Sequence, residues 1–278
     1  MKFKAHAKIN LALEIFPKRA DGFHDIETIF QSIDLADEIE IEKSKKIELE
    51  IYPHDSKIPC DSTNLAYRAA DLLCNEFKLS GVKIFLNKKI PSGAGLAGGS
   101  TNAAGILVAM NDLFELNLST QDLQDRGAIL GSDVPFCIRG GTQFAQGRGE
   151  ILTPLKNLPP IDLILIKPRV SISTAWAYKE FDNHVPLEFF RTKKILESID
   201  SGDWKLIVQN FFNRFEEIVQ LDEIFELKSK LIELGAINSL MSGSGSTVFG
   251  IFDSRSKAEN AFNSLKNLDA EIFLTRTI

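Results

Sequence analysis

Three cysteines, Cys60, Cys74 and Cys137, are the only thiols in 278 residues. They are odd in number, none belongs to a C-x-x-C, and no histidine stands beside them at metal-ligand spacing. A disulfide framework and a cysteine-based metal site are therefore unsupported, and no metal-ligating side chain is assigned. Buried thiols in a reducing cytoplasm are the plain expectation. No apolar run is long enough to span a bilayer, and nothing in Met1-Lys2-Phe3-Lys4-Ala5-His6 reads as a signal peptide. Positive charge is also short: 32 basic against 38 acidic residues leave a net charge of −6. That balance argues against nucleic acid or a membrane surface as a partner. What remains is 44% hydrophobic and 25% charged, ordinary for a globular chain long enough for two domains. Oligomeric state is left open.

Glycine is concentrated in Pro91-Ser92-Gly93-Ala94-Gly95-Leu96-Ala97-Gly98-Gly99-Ser100-Thr101-Asn102-Ala103-Ala104. Four glycines fall within seven residues there, between a strand predicted over 82–87 and a helix predicted over 100–114. The helix follows from Ala103, Ile106, Leu107, Met110, Leu113 and Phe114, which recur at the helical period. The glycines thus end at a helix N-terminus, where unpaired N–H groups and the positive dipole end favour an anion such as phosphate. Ser100 and Thr101 are expected to cap this helix and to offer hydroxyls to a phosphate or Mg²⁺. The stretch contains a literal G-x-G-x-x-G, but Lys88-Lys89-Ile90-Pro91 separate it from its strand. The acids downstream, Asp112 and Glu115, also lie too close to serve a dinucleotide ribose. A Walker A loop is excluded because no G-K-[ST] follows. The plainer alternative is a loop that is glycine-rich only for tight strand–helix packing. Lys88 and Lys89 read as a solvated strand end rather than as phosphate ligands.

Along the chain, residues 3–15 form a predicted strand that puts Lys8 and Asn10 on one face. Taken alone, such a lysine is usually solvated. The turn Ala20-Asp21-Gly22-Phe23-His24 follows, then strands over 26–30, 37–42 and 47–52, the last continuing an antiparallel pattern. A helix over 65–77 is capped from residues 61–64, and another runs from the Ser119 cap to Gly131. Asp133 sits in Gly131-Ser132-Asp133-Val134-Pro135-Phe136, which reads as a turn. A hairpin pair over 142–150 precedes a proline-rich linker at 155–160. Beyond it come a strand over 161–167 and helices over 174–181, 193–199, 203–219 and 222–234. A second glycine turn, Met241-Ser242-Gly243-Ser244-Gly245-Ser246-Thr247, then feeds a strand over 247–252. A helix from 256 and a strand over 270–275 close the chain.

Three motifs in this order, Ala7-Lys8-Ile9-Asn10-Leu11, residues 91–104 and residues 241–247, resemble those of the GHMP kinases. That superfamily takes its name from galactokinase, homoserine, mevalonate and phosphomevalonate kinases, and the resemblance covers essentially the whole chain. Residues 20–24, 98–104 and 131–136 are similar to the branch whose substrate is a cytidine-diphosphate-linked methylerythritol. The resemblance implies an α+β fold of two domains. One is a ribosomal-protein-S5-domain-2-like ATP-binding domain over 1–157, the other a ferredoxin-like domain over 158–278. It also implies ATP with Mg²⁺, and phosphorylation of the 2-hydroxyl of that substrate in the non-mevalonate route to isoprenoids.

Carried onto this sequence, the family pattern makes Asp133 the catalytic base and Lys8 its partner. Asn10 then meets the substrate hydroxyls, and residues 91–101 hold the ATP phosphates. Residues 242–246 border the site, Phe23, His24 and Tyr178 surround the cytidine, and Thr174 is a further substrate-binding residue. The family usually has Tyr at position 23; Phe keeps the ring face needed for stacking but loses a hydroxyl contact. Two further readings stay open. One is a kinase of the same fold for mevalonate or homoserine, the other a nucleotide-binding protein without turnover, with a Rossmann oxidoreductase as an outside choice.

Overall fold

The computed structural model describes residues 1–53, 58–184 and 191–278. In chain order the elements are β1 (Lys2–Lys18), β2 (His24–Lys43), β3 (Glu48–Tyr52), α1 (Leu65–Phe77), β4 (Val82–Asn87) and α2 (Gly98–Leu113). Next come α3 (Thr120–Leu130), α4 (Val134–Arg139), β5 (Thr142–Gln146), β6 (Ile151–Pro154), β7 (Asp162–Pro168), α5 (Thr174–Asn183) and α6 (Thr192–Ser201). The chain ends with α7 (Trp204–Gln209), β8 (Phe212–Asn213), α8 (Phe215–Ile218), α9 (Asp222–Glu233), β9 (Asn238–Met241), β10 (Val248–Phe252), α10 (Arg255–Leu265) and β11 (Ala270–Arg276). Among the described residues, no helix is long and apolar enough to cross a membrane.

These elements gather into two compact units drawn from interleaved segments. The first comprises Met1–Ala7, Leu35–Ser92 and Ala97–Gly140; the second comprises Lys8–Asp34, Gly93–Leu96 and Gly141–Ile278. This division differs from a single boundary in the linker after residue 157.

In the first unit β4 lies between β2 and β3. It pairs antiparallel with β2, Ile39 opposite Leu86, and parallel with β3, Leu49 opposite Ile84. The antiparallel continuation expected at 47–52 is therefore corrected: α1 intervenes between β3 and β4, and such a crossover returns the chain parallel. Asn64 caps α1 by accepting the Ala66 N–H at 2.9 Å; Asn64→Ala would cost about 1 kcal/mol. Ala66, Ala69, Ala70 and Leu73 form the buried stripe of α1 at i, i+3, i+4 and i+7. It shares a core with Ala103, Ile106, Leu107 and Met110 of α2 and with Ile39, Ile41, Ile84 and Leu86 of the strands. Ser119 and Asp122 make the reciprocal capping box that starts α3.

The second unit contains an antiparallel four-stranded sheet ordered β11-β7-β10-β9. Numbered along its own segment this is 4-1-3-2, the ferredoxin-like order expected for the C-terminal part. Its core includes Ile164, Ile166, Leu227, Leu231, Val248, Phe252, Ala258 and Leu265. The same unit pairs β5 with the first half of β2, Thr28 opposite Ala145, and β8 in parallel with β1, Ala12 opposite Phe212.

Two further expectations are corrected. The strands expected at 26–30 and 37–42 are one strand, because residues 31–36 carry neither glycine nor proline to break it. The helix expected over 203–219 is interrupted by β8. There Phe211, Phe212 and Asn213 are all buried, so burial and strand pairing override helix propensity.

Candidate active site

In the first unit, α2 begins at Gly98 behind Ala97, whose backbone is left-handed (φ 57°, ψ 29°) and which offers no capping side chain. The opening N–H groups of a helix have no intrahelical acceptor; the first to find one here is Thr101, donating to the Ala97 carbonyl at 2.9 Å. The N-terminus of this sixteen-residue helix therefore has the unpaired N–H groups and positive dipole end that favour an anion. The capping expected of Ser100 and Thr101 is corrected, since the helix starts two residues earlier than its apolar period suggests. Thr101 instead gives its hydroxyl proton to the His6 carbonyl at 2.7 Å, which leaves Ser100 as the hydroxyl at the helix start. Lys88 is no solvated strand end: its ammonium pairs with the buried Asp37 carboxylate.

Asp133 lies in the same unit, half-buried at the N-cap position of α4 (φ −82°, ψ −15°), and makes no capping bond. The expected turn is present, closed by the Val134 N–H donating to the Gly131 carbonyl at 3.1 Å, and it leads directly into the short helix α4, which has Pro135 in its first turn. That helix packs against α2 and α3.

In the second unit the glycine loop continues through Gly93 and Gly95 at φ 60° and 74°. Position 95 admits nothing larger than glycine, because a Cβ there would lie 2.1 Å from the Ser242 carbonyl oxygen. The Ser242 hydroxyl donates to the Gly95 carbonyl at 3.0 Å, and the Lys8 N–H donates to the Leu96 carbonyl at 3.2 Å. The Lys8 ammonium donates to Asn10 Oδ1 at 2.7 Å, Asn10 Nδ2 donates to Thr28 Oγ1 at 2.8 Å, and Thr28 donates to the Ala12 carbonyl at 2.6 Å. Lys8 is only 4% exposed, with its ammonium 5.0 Å from the Phe30 ring centre. The usual solvated-lysine reading therefore fails here. Asn213, also buried, donates from its side-chain amide to the carbonyls of Met241 and Gly243, both at 2.7 Å. It thereby holds the second glycine turn. Neither Thr28 nor Asn213 carries a sequence signal for these roles.

The residues expected around a cytidine also lie in the second unit. His24 is buried, with Nδ1 2.9 Å from the Phe16 carbonyl and Nε2 3.3 Å from Asp182 Oδ1. Tyr178 stacks on its imidazole at 4.9 Å between ring centres, and Phe181 meets it edge-on at 5.6 Å. Phe23 is 51% exposed, with the Arg148 guanidinium 4.9 Å from its ring centre. Thr174, at the start of α5, shares a 2.8 Å hydrogen bond with Ser244 of the second glycine turn. Among the described residues no three His, Cys, Asp or Glu side chains gather as a metal site.

Comparison with known proteins agrees in several ways. Residues 64–141 match the family model for the GHMP kinases N terminal domain, and residues 195–270 match that for the GHMP kinases C terminal. The chain is 42% identical over 281 aligned positions to a 4-diphosphocytidyl-2-C-methyl-D-erythritol kinase of Clostridium botulinum, covering 100% of both proteins. A crystal structure of 4-(cytidine 5'-diphospho)-2C-methyl-D-erythritol kinase is similar at a TM-score of 0.84 and 32% identity, over 100% of this chain and 99% of that one. L. major mevalonate kinase in complex with R-mevalonate reaches a TM-score of 0.80 at 16% identity, over 100% and 95% of the two chains. That second likeness speaks to fold alone.

Proposed function

The chain belongs to the GHMP kinases, and from that membership we propose that it transfers the γ-phosphoryl group of ATP to the 2-hydroxyl of 4-diphosphocytidyl-2-C-methyl-D-erythritol, a step in the non-mevalonate route to isoprenoids. The observation that carries the reading is the start of α2, an uncapped helix N-terminus directly behind a glycine loop. Its N–H groups and those of residues 92–97 bind the nucleotide phosphates. When bound, Mg²⁺ would neutralise negative charge on those phosphates, and the Ser100 hydroxyl at the helix start would help to hold it.

Asp133 accepts the proton of the attacking hydroxyl as its oxygen bonds to the γ-phosphorus and the bond from that phosphorus to the bridging oxygen breaks, ADP leaving with the electron pair. The ammonium of Lys8, oriented by Asn10 and Thr28, offsets negative charge on the group in transit. Asn10 and Thr174 meet the acceptor. Phe23 supplies the ring face for the pyrimidine, and the His24–Tyr178 stack forms a wall beside it. Because the Phe16 carbonyl lies 2.9 Å from His24 Nδ1 and the rings of Tyr178 and Phe181 pack against it, the imidazole acts through fixed orientation. The family's two domains are proposed as 1–157 and 158–278, a division supported by the family matches lying on either side of the linker.

The test is ADP release with Mg-ATP and four alcohols in turn: the cytidylated methylerythritol, mevalonate, homoserine and galactose. Turnover is expected with the first alone. Turnover with another alcohol would keep the kinase and overturn the cytidine assignment; binding of ATP without turnover on any would point to a protein that only binds nucleotide. Asp133→Asn is expected to retain ATP affinity and lose about 10²- to 10⁴-fold in kcat, the usual share of a general base. Unchanged kcat would remove Asp133 from the role.

A further inference from the structure

The glycine loop has a base, and one carboxylate closes it. Asp37, on β2 within the first unit, is fully buried. Its Oδ1 accepts the backbone N–H groups of Lys89 at 2.7 Å and Ile90 at 2.8 Å. Its Oδ2 accepts from Asn102 Nδ2 at 2.8 Å and from the Lys88 ammonium. The ammonium also donates to Asn102 Oδ1 at 2.9 Å. Lys88, Lys89 and Ile90 immediately precede the loop, and Asn102 lies in the second turn of the helix that ends it. Both ends of residues 91–101 are therefore tied to the same side chain. The helix start is close to this junction, since a Cβ on Gly98 would lie 3.4 Å from the Lys88 ammonium.

Burying a carboxylate against an ammonium is a costly way to fill a core, because apolar side chains of the same volume do it without desolvating charge. What the arrangement supplies is geometry. Four directed donors converge on two oxygens and fix the distance between the strand end and the helix start, while the glycines between them impose little of their own.

We propose that Asp37 is a positioning residue for nucleotide binding, setting the span of the loop so that the N–H groups at the start of α2 converge on the phosphates. This rests on the assignment of the loop to ATP. It goes beyond that assignment in giving the loop's shape to a side chain outside it, through Lys88 and Asn102.

Two variants test it. Asp37→Asn removes the carboxylate and turns an amide N–H₂ toward the Lys88 ammonium. The exchange Asp37→Asn with Asn102→Asp returns a carboxylate to Lys88 from the opposite side and keeps an amide oxygen for the N–H groups of Lys89 and Ile90. Equilibrium binding of ATP without acceptor, KM for each substrate and amide hydrogen exchange over residues 93–100 are measured on all three proteins. The single variant is expected to weaken ATP binding about tenfold or more, in line with the effect of small displacements on a positioned site. It should leave KM for the alcohol within about twofold and speed exchange in the loop. The exchange variant is expected to recover most of the ATP affinity.

A single variant that melts lower yet binds ATP as the wild type does would overturn the proposal, leaving Asp37 a purely structural residue. So would a folded exchange variant with no recovery, and this arm decides if the single variant does not fold. Wild-type protein that binds no ATP would overturn the loop's assignment and the Asp37 role together, a result distinct from normal wild-type binding beside an unaffected variant.

Discussion

Asn10 takes the Lys8 ammonium on its side-chain oxygen at 2.7 Å while spending its amide nitrogen on Thr28 at 2.8 Å. The second bond decides the first. With its N–H₂ engaged, the amide can present only oxygen to Lys8, and the ammonium is held in one place by a neutral acceptor that leaves its charge intact. Asn10→Asp would convert this neutral contact into an ion pair and lose the donor to Thr28. The expected outcome is a fall in kcat of about tenfold or more, roughly 1.4 kcal/mol on the barrier, with ATP affinity retained. Steady-state kinetics beside ATP binding check it, and wild-type kcat would remove Lys8 from the charge-balancing role.

Phe23 offers a ring that is half exposed, with Arg148 close by. Base–aromatic stacking contributes about 1–3 kcal/mol, so Phe23→Ala is expected to raise KM for the cytidylated substrate about tenfold while KM for ATP stays put. Phe23→Tyr should bind at least as well as the wild type. Equal effects on both KM values in the alanine variant would argue against a nucleobase at this ring.

Asn213 makes two 2.7 Å bonds to the carbonyls of Met241 and Gly243 and accepts the Phe215 N–H at 3.0 Å. At about 1 kcal/mol per buried hydrogen bond, with a further cost for each carbonyl left unpaired, Asn213→Ala is expected to lose about 2–4 kcal/mol in urea unfolding. Asn213→Asp should lose more, since a carboxylate would face two carbonyl oxygens. An aspartate variant more stable than the alanine one would contradict this account of the turn.

Burial, helped by the nearby charge of Asp71, pushes the Cys74 thiol above its ordinary value, whereas Cys60 is exposed, which corrects the expectation of buried thiols. The thiolate is the reactive form, so iodoacetamide near pH 8 should alkylate Cys60 well before Cys74. Peptide mass spectrometry over a time course reads the order directly, and faster labelling of Cys74 would mean that its surroundings open readily.

Much of this was legible in the sequence where the signal is local. Ser119 lies three residues before its partner Asp122, the glycines crowd a single loop, and Lys8 and Asn10 share a strand face by period two. Asp37 was not legible. It precedes an alternation of acids with Ile39 and Ile41 that reads as a half-solvated strand, and its partners Lys88 and Asn102 stand 51 and 65 residues away. The start of α2 was missed for a related reason. Apolar periodicity marks the buried face of a helix, and Gly98 and Gly99 have no side chain with which to join that face. The break after Gln209 belongs to the same class, since Phe211 and Phe212 would suit a helix until β1 supplies a strand partner.

The interleaving of the two compact units bears on how this protein can be taken apart. Strands β1 and β2 each serve both units, and residues 93–96 are lent by one stretch of chain to the other. Cutting in the linker at 155–160 would yield a C-terminal piece in which β8 lacks β1, and an N-terminal piece in which residues 8–34 keep β5 but lose the part of their unit beyond the cut. Such halves are suited to a split reporter whose signal requires reassembly. They are poorly suited to separate expression or to grafting one half onto another scaffold.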